Sequence, residues 1–177
     1  NYVTDSIWGI DTFSGTAERE SEDATPFSEN FADVSDWTFD AGIQYSIISG
    51  DRLQVVIPKG ASVTWWDWKN LVTFDPYYYP IIEFAYATNW TDESLAYFKI
   101  RIDYDSDGDG TLDAHYDEYI PLSTSWKIYR LNLYGLTKSR KVQVCWFYVY
   151  NANNSYGYTV YLDWVRVYRA DEFNVDR

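Results

Sequence analysis

Asp103, Asp105, Asp107, Asp109 and Asp113 fall within eleven residues of one another, a density of carboxylates that is costly without a cation. The run Asp105-Ser106-Asp107-Gly108-Asp109-Gly110-Thr111-Leu112-Asp113 sets acids at alternate positions, then a glycine, then another acid. Calcium takes about six to eight oxygen ligands, and this spacing wraps several around one ion. Asp105, Asp107 and Asp109 are expected to give side-chain oxygens, Thr111 a carbonyl, and Asp113 a direct or water-bridged ligand. No Glu stands at the twelfth position counted from Asp103 or Asp105, and the flanks read as strands. The motif therefore reads as a calcium-binding hairpin with a structural role rather than an EF-hand. The other reading is a solvated acidic turn.

A second set is aromatic. Nine Trp and eighteen Tyr stand in 177 residues, with dense runs at Trp65-Trp66-Asp67-Trp68 and Tyr77-Tyr78-Tyr79. Aliphatic side chains fill a core with less polar baggage, whereas Tyr and Trp suit surfaces that are apolar and polar at once. A sugar ring, with its C–H face and rim of hydroxyls, is such a surface. Trp65 and Trp66 are neighbours in a strand and point to opposite faces, so at most one joins the core. Trp68 reads as an exposed turn residue, and Tyr77 and Tyr78 follow a proline in a loop. Tyr86, Tyr97, Arg101, Trp146 and Tyr148 form a possible platform if their strands are neighbours. Trp37 and Trp126 are assigned to the core or to strand ends, and Trp8 is left unplaced.

Hydrolytic chemistry needs two carboxylates across a cleft, about 5–5.5 Å apart for retention and further for inversion. Of eight Glu, only Glu83 and Glu118 lie on expected strands, and no glycosidase or lyase motif surrounds them. His115, the one histidine, has no nucleophile beside it in sequence and reads as decoration of the hairpin.

These side chains must be positioned by strands. Short alternating segments rich in β-branched and aromatic residues run from Phe27, separated by Gly, Pro, Asn and Asp. Strands are predicted at 37–39, 44–48, 52–57, 61–66, 81–88, 96–104, 114–121, 127–132, 142–150 and 158–169. About ten strands at this spacing imply an all-β antiparallel sandwich or barrel. Within 96–104, Phe98, Ile100 and Ile102 share the core face, opposite Tyr97, Lys99, Arg101 and Asp103. In 142–150, unbroken alternation puts Val142, Val144, Trp146, Tyr148 and Tyr150 on one face. Residues 1–26 are polar and acidic, a linker or peripheral strand; 27–170 form the sandwich, and 171–177 a tail.

Net charge is −13, which disfavours nucleic acid and anionic membrane as partners. The one cysteine, Cys145, lies in a strand and reads as a small buried hydrophobe, and one Cys with one His makes zinc improbable. No apolar stretch is long enough to span a membrane as a helix. The chain has no Met and opens on no signal segment, and is expected to be a piece of a larger protein.

Three stretches resemble a known family. Phe27-Ser28-Glu29-Asn30-Phe31-Ala32-Asp33 through Trp37 is similar to the opening strand of jelly-roll carbohydrate-binding modules. Tyr161-Leu162-Asp163-Trp164-Val165-Arg166-Val167-Tyr168 resembles their closing strand, and Phe74-Asp75-Pro76 through Glu83 the start of a central one. The resemblance covers about residues 27–169. It implies a jelly-roll sandwich that binds glycan on a concave sheet or at loop tips, with Tyr79 structural. It also implies a structural calcium shared by Glu29 and Asp163, with Asp33 or Asp51 as further ligands. On this reading the chain is a non-catalytic, extracellular polysaccharide-binding module, joined covalently to a glycan-active catalytic domain. The alternatives are a jelly-roll glycoside hydrolase or lyase domain, and a calcium-stabilised adhesion domain.

Overall fold

The computed structural model describes residues 2–5, 10–13, 28–61, 63–68, 73–136, 141–151 and 155–169. The strands are β1 (Tyr2–Asp5), β2 (Ile10–Phe13), β3 (Ser28–Glu29), β4 (Trp37–Phe39), β5 (Gln44–Ile48), β6 (Arg52–Ile57) and β7 (Val63–Trp68). They continue as β8 (Thr73–Phe74), β9 (Ile81–Thr88), β10 (Ala96–Tyr104), β11 (Ala114–Ile120), β12 (Lys127–Asn132), β13 (Val142–Asn151) and β14 (Tyr158–Tyr168). Among the described residues a single 3-10 turn spans Tyr134–Leu136. Strands β1 and β2 pair only with each other among the described residues, so the amino-terminal stretch includes a hairpin.

The other twelve strands pair antiparallel in two six-stranded sheets that form a jelly-roll sandwich. The front sheet runs β11-β10-β13-β7-β4, with β8 beside β13; the back sheet runs β12-β9-β14-β6-β5, with β3 beside β14. Alternation in the sequence fixes which side of each strand points inward. Phe98, Ile100, Ile102, Phe147, Val149 and Trp66 come from the front sheet, and Leu53, Val55, Phe84, Leu162 and Val165 from the back. The layers meet through rings: Phe84 and Phe147 are edge-to-face at 5.1 Å, and Tyr86 lies 6.0 Å from Phe98.

Two bulges correct the simple alternation. On β13, Arg101 faces Trp146 but Ile102 faces Val144, which leaves Cys145 as an extra residue. The face therefore switches, and Val142 joins Phe147 and Val149 in the core rather than lying opposite them. On β14 the extra residue is Asp163, between partners of Tyr86 and Ala85. The open edge between β11 and β12 is closed by Glu118, which accepts hydrogen bonds from the Tyr116 and Tyr129 hydroxyls. Burial comes first in raising the Tyr129 phenol, and its bond to Glu118 adds to it; Tyr116, through its own bond to the other Glu118 oxygen, is lifted to about 12.

Candidate functional site

The outer face of the front sheet gathers residues that are adjacent only through strand pairing. Register lines up Tyr119, Lys99, Tyr148 and Trp65 in one row, and Asp117, Arg101, Trp146 and Asp67 in the next. Tyr97, Tyr150 and Val63 make a third. Tyr97 stacks on Tyr150 at 4.9 Å and lies 5.4 Å from Tyr119, which is 58% exposed. These rings are held by a charged centre and still face solvent at their edges. That combination gives amphipathic contact area at small entropic cost.

Asp117 is the hub of that centre. Arg101 grips it with two bonds, Nε at 2.7 Å and Nη2 at 3.0 Å, and the Tyr148 hydroxyl donates at 2.6 Å. Lys99 reaches the same carboxylate at 3.4 Å, and its ammonium lies over the Tyr119 and Tyr148 rings at 4.7 and 4.6 Å. Partial burial pushes the Asp117 carboxyl up, but the bonds from Arg101 and Tyr148 and the nearby cations outweigh it and hold it well below the usual carboxylate range. Arg101 is pushed up, chiefly by its bond to Asp117. Burial pulls the Lys99 ammonium down, yet Tyr148 and Asp117 more than offset this and raise it. Two cations share one carboxylate, so the charge is largely offset within the cluster. Such a surface fits hydroxyls better than ions.

Asp67 differs. Burial raises its carboxyl, a bond from Thr38 opposes this, and Oδ1 is buried with no hydrogen-bond partner. Carboxylates shifted in opposite directions can mark an acid and a base. Here three strand spacings separate Asp67 from Asp117, about 14 Å, beyond either glycosidase geometry. Glu83 and Glu118 do not face each other either. Glu83 lies on the outer side of the back sheet, bonded by Arg130 Nε at 2.7 Å, while Glu118 turns into the edge of the sandwich.

Tyr97, Arg101, Tyr148 and Trp65 are thus brought together on one face, but Tyr148 is only 7% exposed and serves to hold Asp117 rather than to offer a ring to ligand. Trp66 and Tyr86 are corrections. Trp66 is fully buried between Phe98 and Phe147, and Tyr86 lies in the back-sheet core with its hydroxyl on the Pro121 carbonyl. Neither ring can reach a ligand. Tyr77 and Tyr78 sit edge-to-face at 5.1 Å in the turn after β8, which pairs at Val142 and Gln143. That is about 20 Å along β13 from Tyr148, away from the platform. Trp126 is 41% exposed and sits at a strand end, whereas Trp37 and Tyr79 are buried as expected. The side chains of Trp68, Cys145 and Trp146 lie outside the described residues, as do Trp8 and the acidic run 18–23. Sequence reasoning missed Lys99, Asp117, Tyr119 and Tyr150 as site residues.

In the acidic loop, one carboxylate oxygen from each of Asp105, Asp107 and Asp109 lies within 4.8 Å of the others. Asp105 is buried and receives the N–H groups of Gly108 at 2.6 Å and Gly110 at 2.7 Å. Both glycines have positive φ, 85° and 90°, which turns those groups toward the acid at no steric cost. The Asp113 carboxylate instead takes Ser106 N–H and Oγ–H, both at 2.8 Å, and Thr111 donates its N–H to Asp109. Three convergent oxygens fit a hard cation, with Thr111 and Asp113 bracing the loop. Glu29 and Asp163 do not form a second cluster among the described residues. Glu29 is taken by Phe31 N–H and Trp37 Nε1–H, while Asp163, swung out by its bulge, pairs with Arg52 at 3.7 Å.

The two-sheet jelly roll is a fold that solved structures share. The chain is similar to a family 4 carbohydrate-binding module, with TM-score 0.53, 10% identity, and coverage of 77% of this chain and 96% of that one. It is also similar to a family 29 module complexed with cellulohexaose, with TM-score 0.51, 12% identity, and coverage of 87% and 96%. A third similar structure is the arabinose-bound MgGH51 α-L-arabinofuranosidase, at TM-score 0.50 and 11% identity. There the match covers 80% of this chain but 24% of the enzyme. No protein-family model matches the chain, and no curated protein matches it in sequence. The resemblance to jelly-roll carbohydrate-binding modules therefore holds at the level of the fold.

Proposed function

We propose that this chain is a non-catalytic carbohydrate-binding module that lays a neutral polysaccharide across the outer face of its front sheet. Tyr97, Tyr119, Tyr150 and Trp65 offer ring faces and edges, and Lys99, Arg101 and Asp117 take hydroxyls. The observation that carries this reading is the Arg101–Asp117–Tyr148 centre ringed by outward aromatics. A core would not spend so many hydroxyl-bearing rings on its solvent side. In the same reading, calcium held by Asp105, Asp107 and Asp109 stiffens the β10–β11 hairpin and so fixes Asp117 and Tyr119, without taking part in chemistry. The module is extracellular and is joined to a catalytic domain whose effective concentration it raises at the polymer.

Affinity electrophoresis in gels containing cellulose derivatives, mannans, xylans or α-glucans tests the reading. Retardation by at least one neutral polymer, weakened in Trp65→Ala combined with Tyr97→Ala, is the expected result. Equal mobility in every gel would overturn it.

A further inference from the structure

We propose that the outer face of the back sheet is a second contact surface for neutral polysaccharide, centred on Trp126 and Tyr161, so that one molecule can hold two glycan chains. The ligand class rests on the reading of the front face; the surface rests on its own residues.

Strand β9 carries two small outward residues, Ala85 and Ala87, between larger neighbours. Ile128 of β12 and Trp164 of β14 flank Ala85, and Tyr161 of β14 faces Ala87. Trp126, one residue before β12, completes the pair across Ala87: its ring lies 6.5 Å from that of Tyr161, and Ala87 is left 6% exposed beneath them. The small floor lets the flanking rings lean over the strand. They are not thereby hidden, because Trp126 remains 41% exposed and Ile128 62%. The Arg52 guanidinium lies 4.9 Å from the centre of the Trp126 ring and that of Arg166 lies 5.1 Å from Trp164, which restrains both indoles. Restrained, exposed aromatics are what interface anchors are made of.

The polar groups around them repeat the front-face arrangement. Arg130 bonds Glu83 at 2.7 Å, and Arg52 pairs with Asp163 at 3.7 Å, too long for a hydrogen bond. Gln54 stands beside Tyr161 in register. Two of the three arginines are thus set against carboxylates, while Arg166 lies over Trp164 and beside the Tyr168 hydroxyl. The face presents mixed donors and acceptors with one cation in excess, a small field that suits a polyol. The faces are also joined at one edge. Tyr119 is the penultimate residue of β11, and residues 121–126 lead from there to Trp126 at the start of β12.

The test is a titration of the full chain with soluble six-sugar cello-, manno-, xylo- and malto-oligosaccharides, by calorimetry and by 15N NMR of the indole N–H groups. The expected result is two sites per molecule and a shifted Trp126 indole resonance in the unsubstituted protein, which needs no variant to fold. Trp126→Ala with Tyr161→Ala should halve the stoichiometry, and Trp65→Ala with Tyr97→Ala should leave the back-face site filled. One site per molecule with an unmoved Trp126 resonance overturns the second surface and leaves the front-face reading standing. Binding lost only in the back-face variant overturns the front-face reading and keeps the back face as the binding surface. No binding of any oligosaccharide contradicts both, and a dimer in sedimentation that buries Trp126 assigns the face to self-association instead.

Discussion

On the front sheet, Trp66, Phe98 and Phe147 stack inward, while their immediate neighbours Trp65, Tyr97 and Tyr148 face outward around Lys99, Arg101 and Asp117. Each pair sits on a different strand, so the contrast is repeated three times within one sheet. Two of the three inward rings are Phe, which brings no polar atom into the core; the third, Trp66, has a buried Nε1 with no hydrogen-bond partner. The outward rings carry hydroxyls or indole N–H groups and lie near charge. Packing decides one side, and hydrogen-bonding capacity the other.

That contrast can be broken from either side. Trp66→Ala should give the largest effect, a loss of roughly 3–5 kcal/mol in chemical unfolding, with glycan affinity of the folded fraction unchanged. Calcium comes next. At a hundredfold excess over its dissociation constant it should add about 2.7 kcal/mol, removed by a chelator and by Asp105→Asn. Trp65→Ala should leave the unfolding midpoint almost unmoved and weaken binding by about tenfold, or ~1.4 kcal/mol. Tyr129→Phe, which deletes one bond to Glu118, should cost about 1 kcal/mol of stability without touching affinity.

The Asp117 centre also sets a pH dependence. Its carboxyl is depressed in the folded protein, so its stabilising contribution is complete above the unfolded value of about 3.9 and fades only as pH falls toward the lower folded value. Glycan binding should therefore persist at pH 4, with the Asp117 carboxyl carbon still reporting an ionised group by NMR.

Most of the sandwich was legible because a half-buried strand writes its burial into alternate residues. Phe98, Ile100 and Ile102 separated cleanly from Tyr97, Lys99 and Arg101. β9 could not be read that way, since all eight of its residues are buried, and Tyr86 was placed on the wrong face. The two-residue strands β3 and β8 were too short to leave a period. Asp117 and Tyr119 were missed because they become site residues only through β10–β11 register, which a hairpin closed by the acidic loop could have supplied. The bulge at Cys145 is invisible to alternation, and it moved Val142 into the core.

The most direct test is a 15N NMR titration of the protein with a soluble neutral oligosaccharide that retards it in affinity gels. Binding across the front sheet requires the largest shifts at residues 97–101, 117–119, 148–150 and 63–67, with those inward on the same strands moving least. Shifts confined to the acidic loop, or to the Tyr77–Tyr78 turn, would contradict it.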